Sequence, residues 1–172
     1  MITLISSTNR KNSYTKKVAE VYLHLMNKEK IDSQIFDLAE IPNNFLTINS
    51  YGKISEDFEV MSNKYLKNVN KYIIICPEYN GSIPGFLKII IDYSDYSIYQ
   101  SKKVSIVGIS SGHSGNLRGI DHLTSIFNHL GSDVFSLQPK LSKIQESFKN
   151  ENLINKNYLD LIKRHIKLFI NY

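Results

Sequence analysis

Apolar residues fall into two alternating rhythms along the chain. Short runs rich in β-branched and aromatic residues occur at Ile2–Ser6, Ser33–Leu38, Tyr72–Cys76, Lys103–Ser110 and Val134–Leu137. Runs of this length bounded by turn formers predict strands, and Tyr72-Ile73-Ile74-Ile75-Cys76 has the unbroken apolar character of a strand buried on both faces. Between them, apolar residues recur at helical spacing. One stripe carries Val18, Val21, Tyr22, Leu25 and Met26 in a helix opening at Ser13, whose hydroxyl is placed to cap it. A second carries Phe58, Met61, Tyr65, Leu66 and Val69 within Ile54–Val69, and a third Phe86, Leu87, Ile90 and Ile91 within Ile83–Tyr93. A fourth helix runs from Leu117 to Leu130 and stops at Gly131. The last carries Leu159, Ile162, Ile166 and Phe169. Ala39–Gly52 reads as an irregular excursion and Lys140–Asn150 as a polar connection. Strands alternating with helices predict an α/β domain with a parallel sheet covered on both faces.

Three polar or turn-rich loops follow the first, third and fourth strands. The first, Ser6 to Ser13, is rich in hydroxyls and amides and leads into a helix N-terminus. Free N–H groups and the helix dipole there attract an anion, with Thr8, Ser13 and Thr15 as hydroxyl donors and Arg10 as a charged one. The alternative is a plain capped helix beside a solvated arginine. The loop after the third strand, Pro77-Glu78-Tyr79-Asn80-Gly81-Ser82-Ile83-Pro84-Gly85, is stiffened by prolines and given unusual backbone freedom by glycines. The loop after the fourth strand, Ser110-Ser111-Gly112-His113-Ser114-Gly115-Asn116, is built of small residues, so its backbone can approach a flat ring. With strand order 2-1-3-4-5 all three loops meet at the carboxyl edge, where the order reverses and such sheets bind their ligand. A phosphate site beside backbone donors for a planar polar ring describes a flavin mononucleotide, which folds of this strand order bind at that point.

Composition narrows the function classes. The 172 residues suit one domain, spanning 1–172, with a real core. The net charge of +5 comes from dispersed lysines, without the basic stripe and interleaved aromatics of a nucleic-acid binder. The single Cys76 excludes an internal disulfide and a cysteine-rich metal site, and its place in a core strand marks it as a buried apolar thiol. His122, His129 and His165 fall on helices without ligand spacing, so no metal is expected. No apolar stretch reaches the roughly 18–20 residues that span a bilayer, and Met1 to Ile5 is too short for a signal peptide. The expectation is a cytoplasmic protein without a membrane partner.

The three loops also carry a family resemblance. Ser7-Thr8-Asn9-Arg10-Lys11-Asn12-Ser13 is similar to the Gly-Ser-x-Arg-x-x-Ser loop of the NADPH-dependent FMN reductase family. Pro77-Glu78-Tyr79-Asn80-Gly81-Ser82 resembles its Pro-Glu-Tyr-Asn signature, and Gly112 to Arg118 its Gly-x-x-Gly-Asn-x-Arg pattern. The resemblance covers nearly the whole chain, with the motifs in order. It implies a flavodoxin-like three-layer αβα sandwich, five strands in order 2-1-3-4-5, and FMN held by the three loops. It places the phosphate on Thr8, Arg10, Ser13 and Thr15, and the isoalloxazine along Pro77, Glu78, Tyr79, Asn80 and Gly81. Ser110, Ser111, Gly112 and Gly115 would flank the ring. NADPH or NADH would be the hydride donor, and a flavin, quinone, azo compound or similar small molecule the acceptor. A homodimer or homotetramer is implied too.

Ser7 stands where the family usually has Gly, so the first turn must accommodate a Cβ, and strain follows if the turn needs a positive φ. Glu78 reads as a structural residue of its loop, and His113 as a hydrogen-bonding or incidental group. Asn116 and Arg118 either touch a nicotinamide cofactor or cap the fourth helix. The aromatic tract Tyr93–Tyr99 packs either on the domain or on a second subunit. The resulting expectation is a reductase that runs by ping-pong with the chemistry on FMN. The alternatives are a flavodoxin-like electron carrier, which is typically acidic, and a flavin-binding redox sensor without turnover.

Overall fold

A computed structural model describes residues 1–172. In chain order its elements are β1 (Ile2–Ser6), α1 (Tyr14–Lys28), β2 (Ser33–Asp37), α2 (Phe45–Ile48), α3 (Glu56–Ser62), β3 (Lys71–Pro77), α4 (Gly85–Tyr93), β4 (Lys103–Ile109), α5 (Leu117–His129), β5 (Asp133–Val134), β6 (Lys140–Leu141), β7 (Phe148–Lys149), β8 (Asn152–Leu153) and α6 (Lys156–Ile170). The main sheet is parallel with order β2-β1-β3-β4-β5, and β6 also pairs with β4. This is the expected flavodoxin-like αβα sandwich.

The pleat of β3 explains its two layers. Tyr72, Ile74 and Cys76 enter one core with Phe58, Leu87, Ile90, Ile91, Leu123 and Phe127 from α3, α4 and α5. Ile73 and Ile75 enter the other with Val18, Tyr22 and Met26 of α1 and Ile162, Ile166 and Phe169 of α6. A strand whose alternate residues fill two cores has no polar face, which accounts for the unbroken apolar run.

Four local readings of the sequence change. The expected strand Val134–Leu137 is split. The Phe135 N–H bonds the Val104 carbonyl at 2.8 Å, the chain then loops outward, and pairing with β4 resumes when the Gly108 N–H reaches the Pro139 carbonyl at 2.9 Å. Pro139 has no N–H to give to a ladder, so the interruption falls beside it. The helix expected over Ile54–Val69 ends as α at Ser62 and continues as a π-helical turn over Asn63–Lys67. The Tyr72 hydroxyl donates to the Leu66 carbonyl at 2.6 Å, and Tyr65 stacks on Phe36, so this end of the helix is shaped by its tertiary partners. The excursion over Ala39–Gly52 contains α2, with Phe45 buried. The connection over Lys140–Asn150 contains a 3₁₀ turn at Ile144–Ser147 and leads into the β7–β8 hairpin.

The aromatic tract packs mainly on its own domain. Tyr99 and Ile98 are buried, and Tyr93 stacks on Phe45, while Tyr96 is about half exposed. Tyr96 lines a hollow of about 870 Å³ with Tyr51, Ile54, Tyr93, Ile126 and His129. No helix is long and apolar enough to cross a membrane.

Candidate functional site

The sheet order brings the loops after β1, β3 and β4 to one carboxyl edge, and side chains then tie them to each other. The Thr8 hydroxyl shares a 2.7 Å hydrogen bond with the Tyr79 hydroxyl, joining the first loop to the second. The Ser114 hydroxyl donates to the Glu78 carboxylate, joining the second to the third. Glu78 thus works as a strut between loops, in keeping with its expected structural role.

The first loop is a helix N-terminus with its donors still free. Ser13 is the N-cap of α1 in extended conformation, and its Oγ accepts from the Lys16 N–H at 3.2 Å. The N–H groups of Ser13, Tyr14 and Thr15 find no acceptor in the chain. Thr8, Ser13 and Thr15 are buried, and Arg10 is exposed without an ion-pair partner. Lys16, just inside the helix, bridges to the nearly buried Asp37 carboxylate at 3.0 Å, and that contact holds its ammonium above the ordinary lysine range. Sequence reasoning missed this clamp, because Asp37 ends β2 and meets Lys16 only through the fold.

Ser7 avoids the strain expected of a Cβ in the first turn, since its φ is not positive. It is fully buried, and both its N–H (3.2 Å) and its hydroxyl (2.7 Å) bond the Ile75 carbonyl. The residue that departs from the family pattern therefore ties the first loop to β3.

The second loop closes as a tight turn. Tyr79 and Ser82 exchange N–H···O bonds of 2.9 and 3.0 Å, and Asn80 and Gly81 both have positive φ, +52° and +74°. Two positive φ values in a two-residue turn define type I′, the geometry that Asn-Gly favours. The Asn80 and Gly81 N–H groups have no internal acceptor and are free for a ligand.

The third loop divides its residues between two tasks. The Ser110 hydroxyl donates to the Gly112 carbonyl and accepts from the Gly115 N–H, each at 2.9 Å. A Cβ on Gly115 would stand 2.7 Å from the Lys140 Cβ. Ser110 and Gly115 thus shape the loop from within. Gly112 is exposed, and a Cβ there would meet nothing within 4 Å. Ser111 bonds Gln145, which follows β6. His113 is exposed and makes no hydrogen bond.

Asn116 resolves one of the open alternatives. Fully buried and in the left-handed conformation, it accepts from the Gly119 N–H at 3.1 Å and donates from Nδ2 to the Cys76 carbonyl at 3.0 Å. It caps α5 and pins that helix to the end of β3. Any Cβ on Gly119 would stand 2.2 Å from the Asn116 Oδ1, so the neighbouring glycine is required by this cap. Cys76 is sealed beneath it, with burial pushing its thiol up to about 12, far from a nucleophile's range.

A parallel flavodoxin-like sheet with a donor-bearing helix N-terminus, a rigid donor turn and a small-residue loop at its switch point is the arrangement in which such folds bind mononucleotides. The sequence signature of "NADPH-dependent FMN reductase" matches residues 1–144, and the chain belongs to that family of oxidoreductases. It is 29% identical over 113 residues to the FMN-dependent NADPH-azoreductase of Staphylococcus aureus, a match covering 63% of this chain and 60% of that protein. The match thus spans about three-fifths of the curated relatives' length. Among solved structures, FerB, a flavoenzyme NAD(P)H:(acceptor) oxidoreductase from Paracoccus denitrificans, superposes with a TM-score of 0.77 at 19% identity, covering 99% of this chain and 95% of that one. The apo form of an NADH:FMN oxidoreductase, EMOB, gives 0.72 at 20% identity, covering 97% and 88%. At these identities the two structures establish the fold.

Proposed function

We propose that this chain is an FMN-containing NAD(P)H-dependent reductase of small acceptors. One observation carries the reading: three loops with free donors are locked into one shelf by Thr8–Tyr79 and Glu78–Ser114 at the sheet's switch point. The donor set suits FMN. Free N–H groups at the start of α1, the hydroxyls of Thr8, Ser13 and Thr15, and Arg10 would hold the phosphate. The Asn80 and Gly81 N–H groups would face the polar edge of the ring, with Pro77, Glu78 and Tyr79 fixing that turn and Ser111 and Gly112 on the other flank. With FMN bound, the cofactor would supply the hydride chemistry between NADPH or NADH and a flavin, quinone, azo or similar acceptor.

The chain's own part is to bind and orient. Stiffness in the β3 loop keeps the Asn80 and Gly81 donors aimed, and N–H donors favour the more negative state of a ring they face. No side chain is required as an acid or base. Donor and acceptor would use the same face of the ring in turn, in a ping-pong cycle. The family membership and the exposed Tyr51 and Tyr96 support a homodimer or homotetramer, and we take the enzyme to be cytoplasmic. Initial rates with NADPH and a quinone or azo acceptor varied together test the cycle. Parallel double-reciprocal lines are expected, and intersecting lines would overturn the alternation.

A further inference from the structure

Arg118 has no task in the scheme above, yet it stands beside the site. The chain is lysine-rich and has only three arginines, Arg10, Arg118 and Arg164. Two of these lie at the carboxyl edge without a carboxylate partner. Arg118 projects from the first turn of α5, exposed, and Asp121 nearby on the helix makes no ion pair with it. Its stem lies against the type I′ turn: a Cβ on Gly81 would stand 3.8 Å from Arg118 Cδ and 4.0 Å from its Nη1. One helical turn on, the His122 Nδ1 meets the Ser82 Oγ at 2.7 Å, leaving Nε2 unpartnered. The first loop reaches this turn through the Tyr79 hydroxyl, whereas α5 reaches it through Gly81 and Ser82. The contacts of Arg118 are with the β3 turn, and it makes no hydrogen bond to the first loop.

We infer that Arg118, assisted by His122 and Ser82, is the anion subsite that recognises the 2′-phosphate of NADPH and sets preference over NADH. The inference rests on the reading that the turn lies along the flavin, where the nicotinamide must deliver its hydride, so that the adenosine half of the dinucleotide runs outward past the turn to the start of α5. The 2′-phosphate is the one charged group that separates the two donors. A guanidinium offers a planar fork to phosphate oxygens, which a lysine does not, and a hydroxyl and an imidazole beside it add directional partners. FMN needs no second phosphate ligand here, because Arg10 and the α1 N-terminus already supply its cradle.

The test uses the FMN-loaded full chain and two probes, 2′,5′-ADP and 5′-AMP, followed by calorimetry, with flavin reduction by NADPH and NADH measured alongside. Wild type binds 2′,5′-ADP more tightly than 5′-AMP and prefers NADPH. Arg118→Ala lowers the NADPH/NADH ratio of kcat/KM about tenfold or more, as loss of a charge-assisted bond requires. Arg118→Lys recovers part of that ratio, and His122→Ala lowers it less. Equal handling of the two nucleotides by wild type, or equal losses for both in Arg118→Ala, overturns the subsite. A weakened FMN affinity in Arg118→Ala with the ratio intact would assign the arginine to FMN instead and also overturn it. Should neither nicotinamide reduce the flavin, the reductase reading fails. The comparison of 2′,5′-ADP with 5′-AMP still decides the subsite in that case.

Discussion

Replacing Asn116 by Ala removes three things at once, and each can be given a size. The cap on the Gly119 N–H is lost, at about 1 kcal/mol. The hydrogen bond from Nδ2 to the Cys76 carbonyl is lost, at about another 1 kcal/mol net. An alanine must then hold φ near +64°, at about 1 kcal/mol or somewhat more. The total is about 3 kcal/mol, a large share of the roughly 5–15 kcal/mol that stabilises a domain. Two further variants separate the contributions. Asn116→Gly relieves the backbone strain and should recover about 1 kcal/mol of the loss. Asn116→Asp keeps the cap but turns an oxygen towards the Cys76 carbonyl, so it should recover little. Urea unfolding followed by circular dichroism reads all three, and FMN titration of the folded variants reads the effect on the third loop. An alanine variant within about 0.5 kcal/mol of wild type, or a glycine variant no better than alanine, would refute this account of the loop.

Three more outcomes follow from the geometry. His165 is fully buried between the Tyr22 hydroxyl (2.9 Å from Nδ1) and the Ser105 hydroxyl (2.6 Å from Nε2), and burial lowers its pKa from 6.5 to about 4. The unfolded chain then binds the extra proton between those values, so this contribution is complete above about pH 6.5 and is lost as pH falls towards 4. It amounts to about 3 kcal/mol. Urea midpoints from pH 4 to 8 should fall less steeply towards acid in His165→Gln than in wild type, and identical slopes would contradict the assignment. Arg10→Ala should weaken FMN binding about 10- to 100-fold, the size of a charge-assisted bond to phosphate, and unchanged affinity by fluorescence titration would remove Arg10 from the cradle. Ser7→Gly, which restores the family's usual residue, should cost about 1 kcal/mol of stability through the lost bond to Ile75 without tightening FMN. A gain of tenfold in affinity would show that the Cβ was a burden.

The architecture was legible because its signals are local. The all-apolar run of β3 and the stripe of Val18, Tyr22 and Met26 are direct consequences of the two-sided sheet they build. Ser13 as a cap and Gly131 beyond the end of α5, with φ +75°, were readable for the same reason. What escaped depends on residues distant in sequence. The break between β5 and β6 is set by pairing to β4, and the π-helical turn by the Tyr72 hydroxyl. At the site, the three loops and their order were legible, but their mutual bonds were not. Nothing in a chain read linearly shows that Thr8 meets Tyr79, that Glu78 meets Ser114, or that Asn116 reaches the Cys76 carbonyl forty residues away. The doubt over Ser7 came from the family's glycine, and the structure removes it through a backbone path and a hydrogen bond to β3.

The central claim is that the shelf holds FMN where a nicotinamide can reduce it. Anaerobic mixing of the FMN-loaded chain with NADPH in a stopped-flow instrument tests this most directly. The account predicts rapid bleaching of the flavin absorption band, followed by recovery when a quinone or azo acceptor is added. A flavin that stays oxidised under excess NADPH and NADH would contradict it.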